Sequence, residues 1–384
     1  MEFLDYLEPV SEQIINDNYS DKALYHSVDF YSNQEFNNYQ IAIIGVDDDR
    51  GAFKNEGSGL APNQIRQYLF HLVKLNDKKI LDLGDLKRGA TINDTYFALS
   101  SLIEELLKNN VLPIVLGGGQ DLTYANFLAY KSLEQTVNLV SIDSKLNIGE
   151  AEEGCNSNNF FTKILLHQPN FLFNYSNIGY QSYFVDKSEV DLISKLYFDI
   201  YRLGQVQKNI EEVEPIVRNA DIISFDISSI RQSEAPGNAN ASPNGFYGEQ
   251  ACQIARYAGL SDKLTSIGFY EFNPEFDQNG QTAHLVAQMV WYFIDGFYNR
   301  KKDFPIGSRK TYTKYRVNIQ EGQNEVVFYK SDKSERWWMD VPYPSHSKIK
   351  YERHLLVPCS YEDYQTACND EMPNRWWQTF QKLS

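Results

Sequence analysis

Cysteine is scarce in this chain of 384 residues. Its four cysteines, Cys155, Cys252, Cys359 and Cys368, form no C-x-x-C pair. That density is far below a disulfide scaffold. The four read as reduced and mostly structural. Positive charge is also short: 36 Lys and Arg stand against 51 Asp and Glu, for a net charge of -15. Binding nucleic acid or an anionic membrane surface requires clustered cations, so both partner classes are excluded. An acidic surface does not by itself imply a cationic ligand. No apolar run approaches the roughly 20 residues that span a bilayer. The opening MEFLDYLEPV has neither a basic stretch nor an apolar one, so a cytoplasmic protein is expected. G-x-G-x-x-G, G-x-x-x-x-G-K-[ST] and G-x-S-x-G are all missing, which argues against nucleotide phosphates and a serine nucleophile.

What is present is a sizeable apolar fraction, 42%, enough to build a core. Five short segments read as buried strands: Gln40 to Val46, Val111 to Leu116, Val137 to Asp143, Ile222 to Asp226 and Ser266 to Phe272. Each is nearly continuous in apolar residues, which suits a parallel sheet covered on both faces. Helical patterns lie between them. Leu99, Leu102, Ile103, Leu106 and Leu107 share one helix face, with Asn93 as the expected N-cap, and a second helix is expected over Gln281 to Phe297. The alternation predicts a three-layer α/β/α fold with a mostly parallel, doubly wound sheet. Residues 1–300 are read as this domain, 1–37 being a lead-in. Residues 301–384 change character and are read as a C-terminal extension with some β structure. Two strands there, Lys310 to Ile319 and Glu325 to Tyr329, flank the turn QEGQN, and two tryptophan pairs follow. Such rings pack in cores or at interfaces.

In a doubly wound sheet, ligands bind beyond the carboxyl ends of the strands. The segment after Leu116 is GGGQDLTYANF, a turn where backbone approaches a ligand or another strand. After Asp226 comes the long loop ISSIRQSEAPGNANASPNGFYG, and loops of this length are usually functional or disordered. SIDSKLNIG presents Asp143, Lys145 and Asn147 at alternating positions, and Glu271 ends the last expected strand.

In these segments the chain resembles the ureohydrolases: arginase, agmatinase and formimidoylglutamase. The resemblance runs from about Gln40 to Tyr298. VDDDRGAFKNEGSGLAPNQIRQYLF is similar to the family's glycine loop and helix start, and ILDLGDL to its Asp-x-Gly-Asp segment. LGGGQD aligns with the GGGHD form typical of formimidoylglutamases. SIDSKLN aligns with DAHxD, SFDIS with SxDxD, and APGNANASPNGF with APGxxxPxPGG. The resemblance implies the arginase-like fold, hydrolysis of linear amidine or guanidine C–N bonds, a homo-oligomer, and two Mn²⁺ held by two His and four Asp. Four of those six positions differ here. They are Gln120 and Lys145 in place of His, and Asn147 and Ser228 in place of Asp. Asp143 and Asp226 remain. None of the six histidines occupies a metal motif. Glu271 matches a substrate-contacting position, and Asp121 and Asn156 are further candidate ligand contacts.

A protonated Lys145 cannot coordinate a metal, and it repels cations. It can instead lie between Asp143 and Asp226 as a substitute cation, with Gln120, Asn147 and Ser228 completing a hydrogen-bonded network. The expectation is therefore no cofactor, with weak Mg²⁺ or Ca²⁺ binding at Asp143 and Asp226 left open. Two roles for the cluster stay open: a buried structural ion pair, or a retained pocket for a small polar ligand or protein partner. The functional expectation is a pseudoenzyme or binding member of the family. The alternative is a hydrolase with an altered metal site.

Overall fold

Ile41–Val46 (β3) begins the centre of the sheet, and all six of its residues are buried. In the computed structural model, which describes residues 3–76, 78–133, 135–150, 154–305, 310–319, 324–342 and 354–383, it pairs in parallel with Ile80–Leu86 (β4) on one side and Leu112–Leu116 (β5) on the other. β5 is followed across the sheet by Ser266–Tyr270 (β10), Ile222–Asp226 (β9), Val137–Ile142 (β6), Leu172–Tyr180 (β7) and Asp199–Arg202 (β8), all parallel. Val28–Phe30 (β2) joins β4 in parallel, and Leu7–Glu8 (β1) joins it antiparallel. The result is a ten-stranded, mostly parallel sheet, with separate apolar cores on its two faces.

The five expected strands form within a residue or two of their expected ends. β7 escaped notice because LFNYSNIGY mixes Asn and Ser into the run. Those polar groups are bonded inside the fold: Asn174 Nδ2 reaches Ser176 Oγ and Asp199 Oδ2 at 3.1 Å each. The helix Ile92–Lys108 is capped by Thr91, not Asn93. Thr91 N–H donates to Asp94 Oδ2 at 2.7 Å while Asp94 N–H donates back to Thr91 Oγ1, a reciprocal box that Asn93 could not close. The helix Gln281–Tyr298 forms as expected.

The C-terminal residues add a four-stranded antiparallel sheet, Tyr312–Ile319 (β11), Asn324–Ser331 (β12), Trp337–Asp340 (β13) and Leu356–Cys359 (β14), in that order. Most of the expected turn QEGQN, residues 320–323, lies outside the described residues. The aromatics have divided roles. Trp337 packs in this sheet's own core, and Trp338 lies over the Arg218 guanidinium, 4.4 Å from ring centroid to Cζ. Arg218 also donates to the Trp337 and Cys359 carbonyls at 3.1 Å each, tying the two sheets together. Trp377 is half exposed.

One buried cation fixes the start of the sheet. Arg66, fully enclosed on the helix Ala61–Leu69, forms a bidentate pair with Asp82 at 2.8 and 2.9 Å, bonds Asp85, and donates to the Gly84 carbonyl. A planar fork suits this arrangement where an ammonium would not. Removing Arg66 would leave two carboxylates buried and unpaired. Arg66→Ala should therefore cost about 3–5 kcal/mol, read as a large drop in thermal midpoint or loss of soluble protein. An unchanged midpoint would show that the pair is not needed.

Candidate functional site at the strand ends

Strand order assembles the site. β5, β10, β9 and β6 are adjacent, and register pairs Leu116 with Phe269, Tyr270 with Asp226, and Phe225 with Ile142. Gln120, Glu271, Asp226 and Asp143 therefore meet at one end of the sheet although they lie far apart in the chain. Gly117 and Gly118 turn the chain out of β5 with φ of 83° and 74°. A Cβ on Gly118 would sit 2.6 Å from the Asp48 carbonyl oxygen, so glycine is required there.

Within the cluster, amides bind carboxylates. The Asn147 Nδ2 group donates to Asp143 Oδ2 at 2.6 Å and to Gln120 Oε1 at 2.9 Å. The Lys145 backbone N–H donates to Asp143 Oδ1 at 2.8 Å. Gln120 Nε2 contacts Ser141 Oγ and Ser224 Oγ at 3.3 and 3.2 Å. Ser228 meets Asp226 through its backbone, N–H to Oδ1 at 2.6 Å. Asn147 makes its bridge from a left-handed conformation, φ 55°, which Asn tolerates better than most residues.

Lys145 departs from expectation. Among the described residues its ammonium forms no ion pair with Asp143 or Asp226. The donors at the Asp143 oxygens are instead the backbone N–H of Lys145 and the side chain of Asn147. Lys145 still acts on Asp143 through its charge, favouring the ionised form, but burial outweighs this and pushes the carboxyl up to about 6. Asp226 is driven well above the carboxylate range, first by burial and then by the charge of Asp143. Two carboxyls this close titrate as a pair.

Glu271 is held in a left-handed backbone conformation, φ 68°, unusual for its residue type. Its carboxylate accepts from the Gln120 N–H at 2.9 Å and from Asn55 Nδ2 at 2.8 Å, and its carbonyl accepts from Asn55 and Asn238. Burial raises it, opposed by these bonds and by one from Ser157. Asp121 lies beside the cluster, bonded to the Tyr96 hydroxyl at 2.6 Å and pushed up by burial to about 8. Asn156 serves its own loop, accepting from the Asn158 N–H at 2.9 Å. Asn55, Tyr96, Ser157 and Asn238 are partners that sequence reading missed. Asn55, Ser157 and Asn238 are common residue types on loops and Tyr96 lies on the helix Ile92–Lys108, and only tertiary contact marks them. The long loop after β9 is ordered by its own bonds, Arg231 N–H to the Phe246 carbonyl at 3.1 Å and Phe246 N–H to the Ser229 carbonyl at 2.9 Å.

A carboxyl raised by burial keeps its proton in the folded chain after the unfolded chain has released it. The stability it contributes is full below 3.8, its ordinary value, and is lost as pH rises through its folded value. For Asp143, the rise to about 6 corresponds to ~3 kcal/mol as an upper bound. In chelator-treated protein, Asp226→Asn should raise the thermal midpoint by a few degrees at pH 8, where folding must otherwise put a proton on Asp226 or bury its charge beside Asp143, and have little effect at pH 4.5. Equal effects at both pH values would contradict this charge assignment.

A model of the Arginase family matches residues 39–295. Among curated proteins, the formimidoylglutamase of Staphylococcus haemolyticus is 25% identical over 267 residues, 66% of this chain and 85% of that protein. The Staphylococcus aureus formimidoylglutamase is 27% identical over the same shares. Solved structures share the fold. The chain superposes on Trypanosoma cruzi formiminoglutamase with Mn²⁺ at TM-score 0.67 and 22% identity, covering 73% of this chain and 100% of that one. Formimidoylglutamase from Bacillus subtilis gives 0.68 and 20%, covering 74% and 95%. These neighbours correct the expectation of no cofactor, because Trypanosoma cruzi formiminoglutamase, which shares this fold, is solved with Mn²⁺. The physical reason is that a cluster of buried carboxylates is a place where a divalent cation balances charge. The residues as placed do not fit a six-ligand manganese pair. Among the described residues no three His, Cys, Asp or Glu donors come together to hold a metal, and the Gln120 and Asp143 oxygens are turned to the Asn147 amide. With a family match over most of its sheet and the same fold in solved relatives, the chain belongs to the Arginase family.

Proposed function

We propose that this member of the Arginase family acts by binding a small polar ligand at the strand-end cluster, as a pseudoenzyme, and not by hydrolysing one. The observation that carries the reading is the Asn147 amide bridging Asp143 and Gln120. Metal-assisted hydrolysis relies on ions that lower the pKa of a bound water to give a hydroxide at neutral pH. Here amide hydrogens satisfy the same carboxylate oxygens. The Lys145 ammonium, not paired with Asp143 or Asp226, is left to meet a ligand. The rest of the reading is a cytoplasmic homo-oligomer. Among the described residues no helix is long and apolar enough to cross a membrane.

The curated relatives are formimidoylglutamases, so N-formimidoylglutamate in saturating Mn²⁺ is the decisive substrate. Turnover should stay at the uncatalysed background, whereas working enzymes exceed it by roughly a millionfold or more. Turnover that Asp226→Ala abolishes would overturn the proposal. A polar compound that raises the thermal midpoint of the native chain should lose that effect in Lys145→Gln.

A further inference from the structure

Beyond the carboxyl end of β4 lies a cavity of about 590 Å³, within the range of small-molecule sites, roughly 300–1,000 Å³. It is separate from the strand-end cluster, and neither Gln120, Asp143, Asp226 nor Glu271 lines it. One wall is the helix Ile92–Lys108, through Phe97, Ala98, Ser101 and Leu102, and the opposite wall includes Leu7 and Leu86. Phe97 is 66% exposed, an unusual position for a large ring.

The polar groups at this cavity are unequally committed. The Gly89 and Ala90 carbonyls accept from Arg50 at 2.9 and 3.1 Å. The Asp94 carboxylate is used by the Thr91 cap, and the Asp5 carbonyl accepts from Lys87 Nζ at 3.2 Å. Arg88 is different. Its nearest carboxylates, Asp48 and Asp49, both lie at 3.7 Å. Asp48 is already held more closely by Arg50 at 2.6 Å and by the Thr95 hydroxyl at 2.7 Å. Among the described residues the Arg88 guanidinium donates no hydrogen bond within 3.5 Å. A rigid fork of five donors therefore stands half exposed at the rim of an apolar cavity, beside Lys87, in a chain whose net charge is -15.

We propose that this cavity binds a small amphipathic anion, with its apolar body between Phe97, Leu86 and Leu102 and its carboxylate or phosphate head on Arg88. The head supplies closer acceptors than the Asp48 and Asp49 carboxylates, which stand 3.7 Å from Arg88, and the body covers Phe97. Titration calorimetry with decanoate, decyl phosphate and decan-1-ol on the full chain tests this. Both anions should bind one per chain, and the alcohol at least about tenfold more weakly, as expected for a lost charge-assisted hydrogen bond. The stronger of the two anions identifies the head group. Arg88→Gln should bring the anions down to the level of the alcohol. Ser101→Trp, which fills the cavity from a partly exposed helix position, should abolish binding of all three while circular dichroism stays unchanged. Equal binding of alcohol and anions by the native chain, or undiminished binding by a folded Ser101→Trp variant, would overturn the proposal.

Discussion

Buried negative charge at the ends of β5, β10, β9 and β6 is the constraint on which this structure turns. Asp143, Asp226 and Glu271 lie together with almost no access to water. Carboxylates in that situation must hold protons, accept strong hydrogen bonds or meet a cation. Hydrogen bonds are supplied in number here. Backbone N–H groups of Lys145, Ser228 and Gln120 and the amides of Asn147 and Asn55 each point at a carboxylate oxygen.

The scaffold accordingly resists rearrangement near this end. Arg66 locks the helix after the glycine loop onto β4 through two aspartates and a carbonyl. The same glycine loop carries Asn55, which grips Glu271 at both its carboxylate and its carbonyl. The strained backbone of Glu271 persists because its surroundings over-determine it, and such strain concentrates at sites with a function. Helix Ile92–Lys108 works on two sides. Tyr96 holds Asp121 beside the cluster, while Phe97 faces the separate cavity.

Much of this was legible beforehand. Continuous apolar runs marked β3, β5, β6, β9 and β10, because strands buried on both faces have no reason to alternate. The runs also placed Asp143, Asp226 and Glu271 at strand ends and Gln120 just past one. β7 was hidden because its Asn and Ser residues are satisfied by partners distant in sequence, which no local pattern reports. The cap of the helix at Ile92 was misplaced by two residues, since Thr91 and Asp94 compete better than Asn93 once their reciprocal bonds are counted. Lys145 was expected to bridge two aspartates, but the donors that reach Asp143 are an amide and a backbone N–H, which charge alone does not reveal.

By itself the sequence determined the kind of layers, the family likeness and the identities of the six residues at the strand ends. Those follow from local composition, spacing and motif order. Which groups face one another was decided only in three dimensions. Adjacency of β5, β10, β9 and β6 is a property of sheet order, so the meeting of Gln120 with Glu271, the bridge from Asn147 and the open guanidinium of Arg88 depend on distances between segments that never touch along the chain.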